Sequence, residues 1–476
     1  MEFRIEKDFL GEKSVPQSAY YGIQTLRAVE NFPITGVPVH PELIRTLALV
    51  KKAAAKANAS THMLREPIAE AIVKAADEVA QGGLADQFIV DSIQGGAGTS
   101  INMNMNEVLA NRALELLGRS KGEYFYCSPN NHVNMSQSTN DAIPTAIRLS
   151  AYRLTQELLD TLRQLRNAFG DKAIAFNDVI KMGRTHLQDA VPIRMGQQFG
   201  AYAAVIGRDI GRIGRSADTL LAVNMGATAV GTGLNAKPEY ISEVVRLLAE
   251  ELGVPVKAAD DLMDATQNTD AYTELSASLK VCAVNLSKIC NDLRLMASGP
   301  RTGLSEIQLP ARQPGSSIMP GKVNPVMAEV VNQAAFQIIG NDHTICLASE
   351  AGQFELNVMG PVLAFNLLQS LKILRNAVDV FIRFALEGME ANRERCERYV
   401  HDSFGIVTAL NPHLGYEVAA GIVKEAIKTG MRVQDIILER HLLTKEEIDI
   451  ILDPVQMTTP GIAGEWLLDG GGGRSE

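Results

Sequence analysis

The clearest structural signal in the chain lies at Leu275–Met296, which reads LSASLKVCAVNLSKICNDLRLM. Its apolar residues recur in alternating steps of four and three, at Leu275, Leu279, Cys282, Leu286, Ile289, Leu293 and Met296. This spacing is typical of the a and d positions of a coiled-coil heptad, so it predicts a helix with one buried seam. Because no Gly or Pro lies between Pro255 and Gly299, the helix can extend over about 35 residues, or about 50 Å at the usual rise per residue.

Other long helices are predicted on both sides of this one. A helix that follows Pro144, a residue suited to the first helical turn, has an apolar face formed by Ile147, Ala151, Leu154, Leu158, Leu162, Leu165 and Phe169. A pattern at about 195–223 carries Gly200, Gly207, Gly211 and Gly214 at helical spacing. Since each glycine costs about 1 kcal/mol relative to alanine in a helix, this stripe indicates the close approach of another helix; a helix broken by turns is the alternative. Two further apolar patterns predict helices at roughly 326–339 and 355–388.

Strand signals are sparse and short, so the sequence predicts an all-α, or mainly α, protein with a central bundle of long helices. We expect a mainly helical N-terminal domain at 1–137 and the long-helix bundle at 138–390. A small C-terminal helical domain is expected at 391–468, followed by a flexible tail at 469–476.

Composition excludes several classes of protein. The net charge of −10 argues against nucleic-acid binding, which usually requires a basic surface. The N-terminus lacks an apolar signal region, and the sequence has no run of about 18 apolar residues that would span a membrane. Five cysteines without CxxC spacing indicate buried thiols in a reducing compartment, so a cytoplasmic location is expected.

One candidate functional segment is Gly315–Pro325, which reads GSSIMPGKVNP. Its glycines and prolines predict a loop that presents two serines, Lys322 and Asn324. Asn324 and Pro325 are suited to the cap and first turn of the next helix. The alternative is a surface loop that only caps this helix. A nucleotide-binding P-loop is excluded because the glycine spacing is wrong and Val323 stands where a Ser or Thr is needed.

Three other segments combine hydroxyl and amide side chains, and each also has a purely structural interpretation. Gly95–Asn102 (GGAGTSIN) can present backbone N–H groups to an anion, although glycine-rich turns are common. Asn134–Asp141 (NMSQSTND) precedes a helix, where it can bind a carboxylate or simply cap that helix. Gly183–Ala190 (GRTHLQDA) contains His186, and a lone histidine is more often structural than catalytic. No group of His, Cys and carboxylates has the spacing of metal ligands, so no metal site is predicted.

Together the four segments resemble the fumarase/aspartase superfamily, whose signature loop is GSSIMPGKVNP. The resemblance covers nearly the whole chain, from YYGIQT at 20–25 to PGIA at 460–463. Ala97–Ser100, Ser138–Ala142 and Asn224–Thr228 resemble the branch that deaminates aspartate more than the branch that hydrates fumarate. Gly360 departs from both branches, in which a charged residue is expected.

The resemblance implies three mainly helical parts in each subunit and a homotetramer whose bundles combine into a twenty-helix core. It also implies active sites that are each built from three subunits. A physical reason supports this expectation, because rods tens of ångströms long separate the motifs. Elements at opposite ends of such rods can meet between antiparallel neighbours rather than inside one monomer.

The activity that the resemblance implies is the reversible conversion of L-aspartate, a small dicarboxylate, to fumarate and ammonia. The Cβ proton leaves first, and the resulting carbanion is stabilised as the aci-form of the β-carboxylate. The alternatives are a fumarate hydratase and a non-catalytic structural member of the superfamily. No cofactor is expected, apart from non-essential activation by a divalent cation.

The resemblance also implies a role for each matching residue. The base is Ser316, and the donors to the β-carboxylate are Thr99, Ser138, Thr139 and Ser317. The α-carboxylate is bound by Lys322 and Asn324. The remaining pocket residues are Asn140, Thr185 and His186, and Glu329 is the expected partner of His186.

Overall fold

The computed structural model describes residues 2–469 and is built mainly from helices. Helix makes up 62% of the structure, so the mainly-α class predicted from the sequence is confirmed. The helices are, in chain order, α1 (Ile23–Asn31), α2 (Pro41–Ser60), α3 (Glu66–Ala80), α4 (Thr99–Leu116), α5 (Thr139–Ala175), α6 (Met195–Asp218), α7 (Pro238–Leu252), α8 (Leu262–Gln267), α9 (Asp270–Met296), α10 (Val326–Glu350), α11 (Gly360–Phe381), α12 (Arg393–Asp402), α13 (Val407–Leu414), α14 (Tyr416–Thr429), α15 (Val433–Glu439), α16 (Lys445–Ile451), α17 (Pro454–Met457) and α18 (Trp466–Asp469). Of the expected flexible tail, residues 470–476 lie outside the described residues.

The strands are short and form four two-stranded sheets within residues 2–469. They are β1 (Phe3–Asp8), β2 (Gly11–Pro16), β3 (Ile180–Thr185), β4 (Gln188–Arg194), β5 (Ala222–Val223), β6 (Lys257–Ala258), β7 (Ile307–Gln308) and β8 (Glu390–Ala391). The pairs β1–β2, β3–β4 and β7–β8 are antiparallel, and β5–β6 is parallel. Within the same described residues, π-helical turns occur at Pro129–Val133 and Ile382–Leu386.

The seam predicted on α9 is buried along its full length, since none of its seven apolar residues exposes more than 4% of its surface. The helix itself is shorter than expected, with 27 residues. It begins at Asp270 because the preceding residues form β6 and the short helix α8 instead. Absence of Gly and Pro therefore permitted a longer helix but did not require one.

The start of α5 differs from the sequence prediction, because Pro144 lies inside the helix rather than in its first turn. A proline has no N–H to donate to the carbonyl four residues earlier, which here belongs to Asn140. That carbonyl accepts a hydrogen bond from the Asn224 side chain at 2.9 Å instead. The Pro144 carbonyl accepts one from the Tyr272 hydroxyl at 3.0 Å. Tertiary partners thus let the helix begin five residues before the proline.

The glycine stripe lies on α6, which is continuous through all four glycines, so the alternative of a broken helix is wrong. Side chains of α5 approach this stripe, but only at ordinary packing distances. A Cβ added at Gly200 or Gly207 would lie 3.9 or 3.6 Å from the nearest α5 atom. The packing of α5 against α6 therefore leaves room for a Cβ at these positions and does not require glycine.

The two remaining helical patterns are confirmed with different ends. The first pattern forms α10, which continues to Glu350, and the second forms α11, which begins at Gly360. Open space surrounds the Cβ position of Gly360, so packing within the chain does not explain the glycine there. The expectation that all cysteines are buried is wrong for Cys346, which is exposed on α10.

The described residues divide into two compact units. The first unit comprises residues 2–161, Asp209–Val284 and Gln333–Ala377, and in it α2 packs on α3 and α7. The second comprises Leu162–Arg208, Asn285–Asn332 and residues 378–469, and in it α12 packs against β3. The three-part division expected from the sequence stays a prediction.

Candidate active site

In the first unit, Ser138 stands immediately before α5 and caps it. Its carbonyl accepts from Ala142 N–H at 3.2 Å, and its Oγ accepts from Asn140 N–H at 3.2 Å. The capping interpretation of this segment is therefore confirmed. Capping does not exclude substrate binding, because the hydroxyl hydrogen of Ser138 is not used in either bond. A helix N-terminus also attracts anions through its free N–H groups.

Asp141 completes this cap and was missed by the sequence analysis. Its Oδ1 accepts from Ser138 N–H at 2.8 Å, and its Oδ2 accepts from the N–H groups of Gly226 and Thr228 at 3.1 Å each. Burial raises the pKa of this carboxyl to about 6, while the three backbone N–H groups and Lys51 act in the opposite direction. The signal that could have found it is the capping-box spacing, in which an acidic residue follows a serine by three positions.

Lys51 is a fully buried lysine on α2 and was also missed. Its Nζ donates to Asn134 Oδ1 at 3.0 Å and to Gln137 Oε1 at 2.9 Å, so it fixes the segment that leads into α5. Burial lowers the pKa of its ammonium group to about 7, and the charge of Asp141 acts in the opposite direction. Its neighbour Lys52 lies in the same apolar stretch, so no sequence signal singled out Lys51 as the buried lysine.

Asparagines of α4 extend this network to Thr139. Asn134 Oδ1 also accepts from Asn102 Nδ2 and Asn106 Nδ2, at 3.1 Å each. Asn102 Nδ2 in turn lies 3.2 Å from Thr139 Oγ1. The start of α5 is thus tied by side-chain hydrogen bonds to a point one turn into α4.

Thr99 is the first residue of α4 and follows a sharp glycine loop. Gly96, Ala97 and Gly98 have φ angles of 94°, 58° and 91°, and Thr99 Oγ1 donates to the Gly96 carbonyl at 2.7 Å. A Cβ at Gly98 would lie 2.9 Å from a methyl carbon of Ile143 on α5. This close approach brings the starts of α4 and α5 together, so the first unit gathers Thr99 with Ser138, Thr139 and Asn140.

In the second unit, Thr185 and His186 lie at the tip of the β3–β4 hairpin. Thr185 pairs with Gln188, so the turn consists of His186 and Leu187 alone. Their φ angles are 56° and 60°, which is the left-handed conformation that a two-residue hairpin turn requires. That conformation costs roughly 1–2 kcal/mol for a residue with a side chain. Thr185 and His186 are both exposed.

The signature loop Gly315–Pro325 also lies in the second unit and is closed by hydrogen bonds across its base. Gly315 N–H donates to the Lys322 carbonyl at 2.7 Å, and Asn324 Nδ2 donates to the Gly315 carbonyl at 2.9 Å. A Cβ at Gly315 would lie 2.6 Å from the Lys322 carbonyl oxygen. The loop closure therefore requires glycine at this position.

The expected capping of α10 by Asn324 is corrected by the structure. The helix begins at Val326, and the Pro325 carbonyl accepts the first helical hydrogen bonds, from Ala328 and Glu329 N–H at 3.1 Å each. Asn324 uses its side-chain amide within the loop because Gly315 is held beside it.

The two serines of the loop have different surroundings. Ser316 is partly buried, and its Oγ accepts hydrogen bonds from Ile318 N–H at 3.2 Å and Met319 N–H at 3.1 Å. Ser317 and Lys322 are exposed. Two N–H donors aimed at one oxygen stabilise negative charge on it, which lowers the cost of removing the Ser316 proton.

Glu329 lies one turn into α10 and is partly buried. Within residues 2–469, no hydrogen bond or ion pair joins it to His186, so this pair stays a prediction. The hairpin tip and the loop likewise share no hydrogen bond in the part of the chain that the structure describes.

Residues 2–469 contain neither a metal-binding cluster nor a membrane-spanning helix. No group of three or more His, Cys, Asp or Glu residues could hold a metal ion there. None of the helices in that part is long and apolar enough to cross a membrane.

Comparison with protein families assigns the class. A family model described as Lyase matches residues 11–340, and a model described as Fumarase C C-terminus matches residues 406–459. The chain belongs to this lyase family, the fumarase/aspartase superfamily. The resemblance carried by the four segments is confirmed.

Individual relatives are similar over almost the full length. The chain is 65% identical over 468 residues to the aspartate ammonia-lyase of Bacillus subtilis (strain 168), covering 98% of each chain. It matches a crystal structure of fumarate lyase:delta crystallin from Brucella melitensis bound to cobalt with a TM-score of 0.94 and 48% identity, covering 96% of this chain and 100% of that one. A recombinant class II fumarase from Schistosoma mansoni matches with a TM-score of 0.92 and 36% identity, covering 96% of this chain and 100% of that one.

Proposed function

We propose that the chain is an aspartate ammonia-lyase that converts L-aspartate reversibly to fumarate and ammonia. The observation that carries this proposal is the 65% identity, over 98% of both chains, to the Bacillus subtilis aspartate ammonia-lyase. The lower identity of 36% to the Schistosoma mansoni fumarase makes fumarate hydration the less favoured activity.

The proposed base is Ser316, which removes the Cβ proton of aspartate. A serine hydroxyl is a poor base unless its alkoxide is stabilised. The N–H groups of Ile318 and Met319, which already point at Ser316 Oγ, supply that stabilisation. Ser317 lacks such donors among the hydrogen bonds of the loop, and this difference supports the assignment of Ser316 over its neighbour.

The electrons left by the proton move into the β-carboxylate, which becomes an aci-carboxylate with additional negative charge. Donors aimed at this group therefore lower the barrier. The donors are Thr99, Ser138 and Thr139 from the first unit and Ser317 from the loop. Support comes from the meeting of the N-termini of α4 and α5, whose free N–H groups favour an anion.

The second carboxylate of the substrate is bound by Lys322 and Asn324, and Asn140, Thr185 and His186 line the rest of the pocket. The electrons of the aci-carboxylate then form the C=C bond as the Cα–N bond breaks. The electron pair of the Cα–N bond leaves with nitrogen, which departs as ammonia. An ammonium group needs no further protonation to leave, whereas hydroxide departure from malate needs a general acid. Glu329 is proposed to orient His186.

The reaction so described uses acid–base chemistry alone and requires no cofactor; a divalent cation would act only as a non-essential activator. We propose a homotetramer with a twenty-helix core and active sites that each combine three subunits. The three-part subunit and the cytoplasmic location expected from the sequence belong to the same proposal. Neither nucleic acid nor a membrane is a proposed partner.

The test is a spectrophotometric assay of fumarate formation by the purified protein with L-aspartate and with L-malate. The proposal predicts a rise in fumarate absorbance with aspartate that far exceeds the rise with malate. A rise with malate alone would instead identify a fumarate hydratase. No rise with either substrate would favour a non-catalytic member of the superfamily.

A further inference from the structure

The β3–β4 hairpin carries Thr185 and His186 at a turn whose backbone conformation must be stabilised by residues outside the turn. His186 and Leu187 both adopt the left-handed conformation, with φ angles of 56° and 60°, and Leu187 is 71% exposed. Residues with side chains keep such angles only where the surrounding structure enforces them. Because the tip is exposed, the constraint must come from the base of the hairpin.

Two cationic side chains of β3, Lys181 and Arg184, reach the same carboxylate below the tip of the hairpin. Lys181 and Arg184 are three residues apart, so in a regular strand they would face opposite sides of the sheet. Met182 pairs with Pro192 and Arg184 pairs with Asp189, so Ala190 and Val191 of β4 together stand opposite Gly183. Such a bulge bends the strand that carries it and increases the local twist of the pair. Gly183 permits the shift, because a Cβ there would lie 2.7 Å from the Val191 carbonyl oxygen.

Both cations meet the carboxylate of Glu306, whose side chain is 0% exposed. Glu306 Oε1 accepts a hydrogen bond from Arg184 Nη1 at 2.7 Å. Its Oε2 lies 2.8 Å from Lys181 Nζ, an ion-pair contact whose angles fall outside hydrogen-bonding range. Arg184 immediately precedes Thr185, so this contact fixes the residue next to the turn.

The backbone of Glu306 is itself held on both sides. Its N–H donates to the Met296 carbonyl at 2.8 Å, and its carbonyl accepts from Asn392 N–H at 2.9 Å. Glu306 therefore cannot follow a displaced hairpin, and the hairpin is fixed with respect to Glu306.

We propose that Glu306 is a positioning residue for Thr185 and His186, acting through Arg184 and Lys181. This inference rests on the proposed function, which places Thr185 and His186 against the substrate. Glu306 itself acts without touching the substrate. It keeps the hairpin tip in one orientation, and a displacement of about 1 Å in such an element can lower turnover about 100-fold.

The test is a double-mutant cycle of Glu306→Gln and His186→Ala, with kcat and KM for aspartate measured in each. Glu306→Gln keeps the size of the side chain and an acceptor for Arg184 but removes the charge. We expect kcat/KM to fall about 100-fold in the wild-type background. In the His186→Ala background the further fall should be less than about 3-fold, because coupled residues are not additive. A purely structural role would give equal falls in both backgrounds.

Controls separate folding from positioning. Glu397→Gln makes the same chemical change in the second unit at a side chain that is 75% exposed, and it should leave kcat/KM within about 2-fold of the wild type. If Glu306→Gln does not fold, Arg184→Lys replaces it in the cycle, since it keeps the charge and loses the geometry of the guanidinium group.

The outcomes distinguish this inference from the proposed function. If His186→Ala leaves aspartate turnover unchanged, the role of His186 in the proposed site is wrong, and the inference fails with it. If His186→Ala impairs turnover but the effect of Glu306→Gln is absent or fully additive, the inference is overturned and the proposed function stands.

Discussion

Ser138 and Asp141 are joined by a hydrogen bond at the start of α5, in which Ser138 N–H donates to Asp141 Oδ1 at 2.8 Å. The other oxygen of the same carboxylate accepts from Gly226 and Thr228 N–H at 3.1 Å each. One buried group thus fixes both a proposed substrate-binding residue and the loop at Asn224–Thr228. This arrangement makes Asp141 a sensitive point for stability and for activity.

Asp141→Asn should lower both the free energy of unfolding and the activity. The amide offers one acceptor oxygen where the carboxylate offers two, so at least one buried N–H loses its partner, at a cost of about 1–3 kcal/mol. Displacement of Ser138 should lower kcat/KM for aspartate by about 10-fold or more, as a small misplacement does. Urea unfolding and steady-state kinetics measure the two effects. Asp379→Asn, at a side chain that is 44% exposed, is the control, and equal behaviour of the two variants would refute the prediction.

Lys51 should make stability depend on pH above neutrality. Burial lowers the pKa of its ammonium group to about 7, against the charge of Asp141, whereas the unfolded chain keeps a pKa of about 10.4. Between these values the unfolded state binds more protons, so the free energy of unfolding rises with pH, by at most about 1.4 kcal/mol per unit. The stability gained in this way is therefore complete above the unfolded pKa and is lost once the pH falls below about 7.

Lys51→Met should remove that rise. Urea unfolding of the wild type and the variant at pH 7 and pH 9 measures it, with the exposed Lys424→Met as the control. The same pH dependence in Lys51→Met and the wild type would show that Lys51 is not the group responsible.

Lys322→Met should chiefly weaken substrate binding. Lys322 is exposed on the signature loop, so its removal should not unfold the protein, and loss of its charge should raise KM for aspartate about 10-fold or more, at the scale of one charged hydrogen bond. Because the α-carboxylate does not change charge during the reaction, kcat should fall less than kcat/KM. Steady-state kinetics beside Lys424→Met test this, and an unchanged KM would remove Lys322 from the binding site.

Leu187→Asn should stabilise the hairpin. Leucine at a φ of 60° is strained, while asparagine is several-fold enriched in that conformation. We expect the free energy of unfolding to rise by about 0.5–1 kcal/mol. Leu187→Ala removes the same exposed side chain but keeps the strain, so it should not stabilise. A loss of stability in Leu187→Asn would mean that the leucine side chain is held by contacts.

The helices and their buried faces were largely predictable because they depend on local periodicity. The seven-residue seam of α9 and the loop at Gly315–Pro325 follow from spacing and from glycine and proline alone. Where a helix begins was less predictable. The start of α5 depends on Asn224, far away in sequence, which takes the hydrogen bond that Pro144 cannot make.

The four motifs of the candidate site were also found from the sequence, but the residues that support them were not. Asp141, Lys51 and Glu306 have roles that depend on burial and on partners brought near by folding. Glu306, for example, meets Lys181 and Arg184 more than a hundred positions away. Such pairings leave no short pattern in a single sequence.

Ser316→Ala tests whether the signature loop abstracts the Cβ proton of aspartate. Fumarate formation from L-aspartate should be followed in the wild type and the variant, with the oligomeric mass of each measured by light scattering. Loss of the base should lower kcat by about 1,000-fold or more with the mass unchanged, a scale typical of a catalytic nucleophile or base. An undiminished rate of fumarate formation by Ser316→Ala would show that Ser316 is not the base.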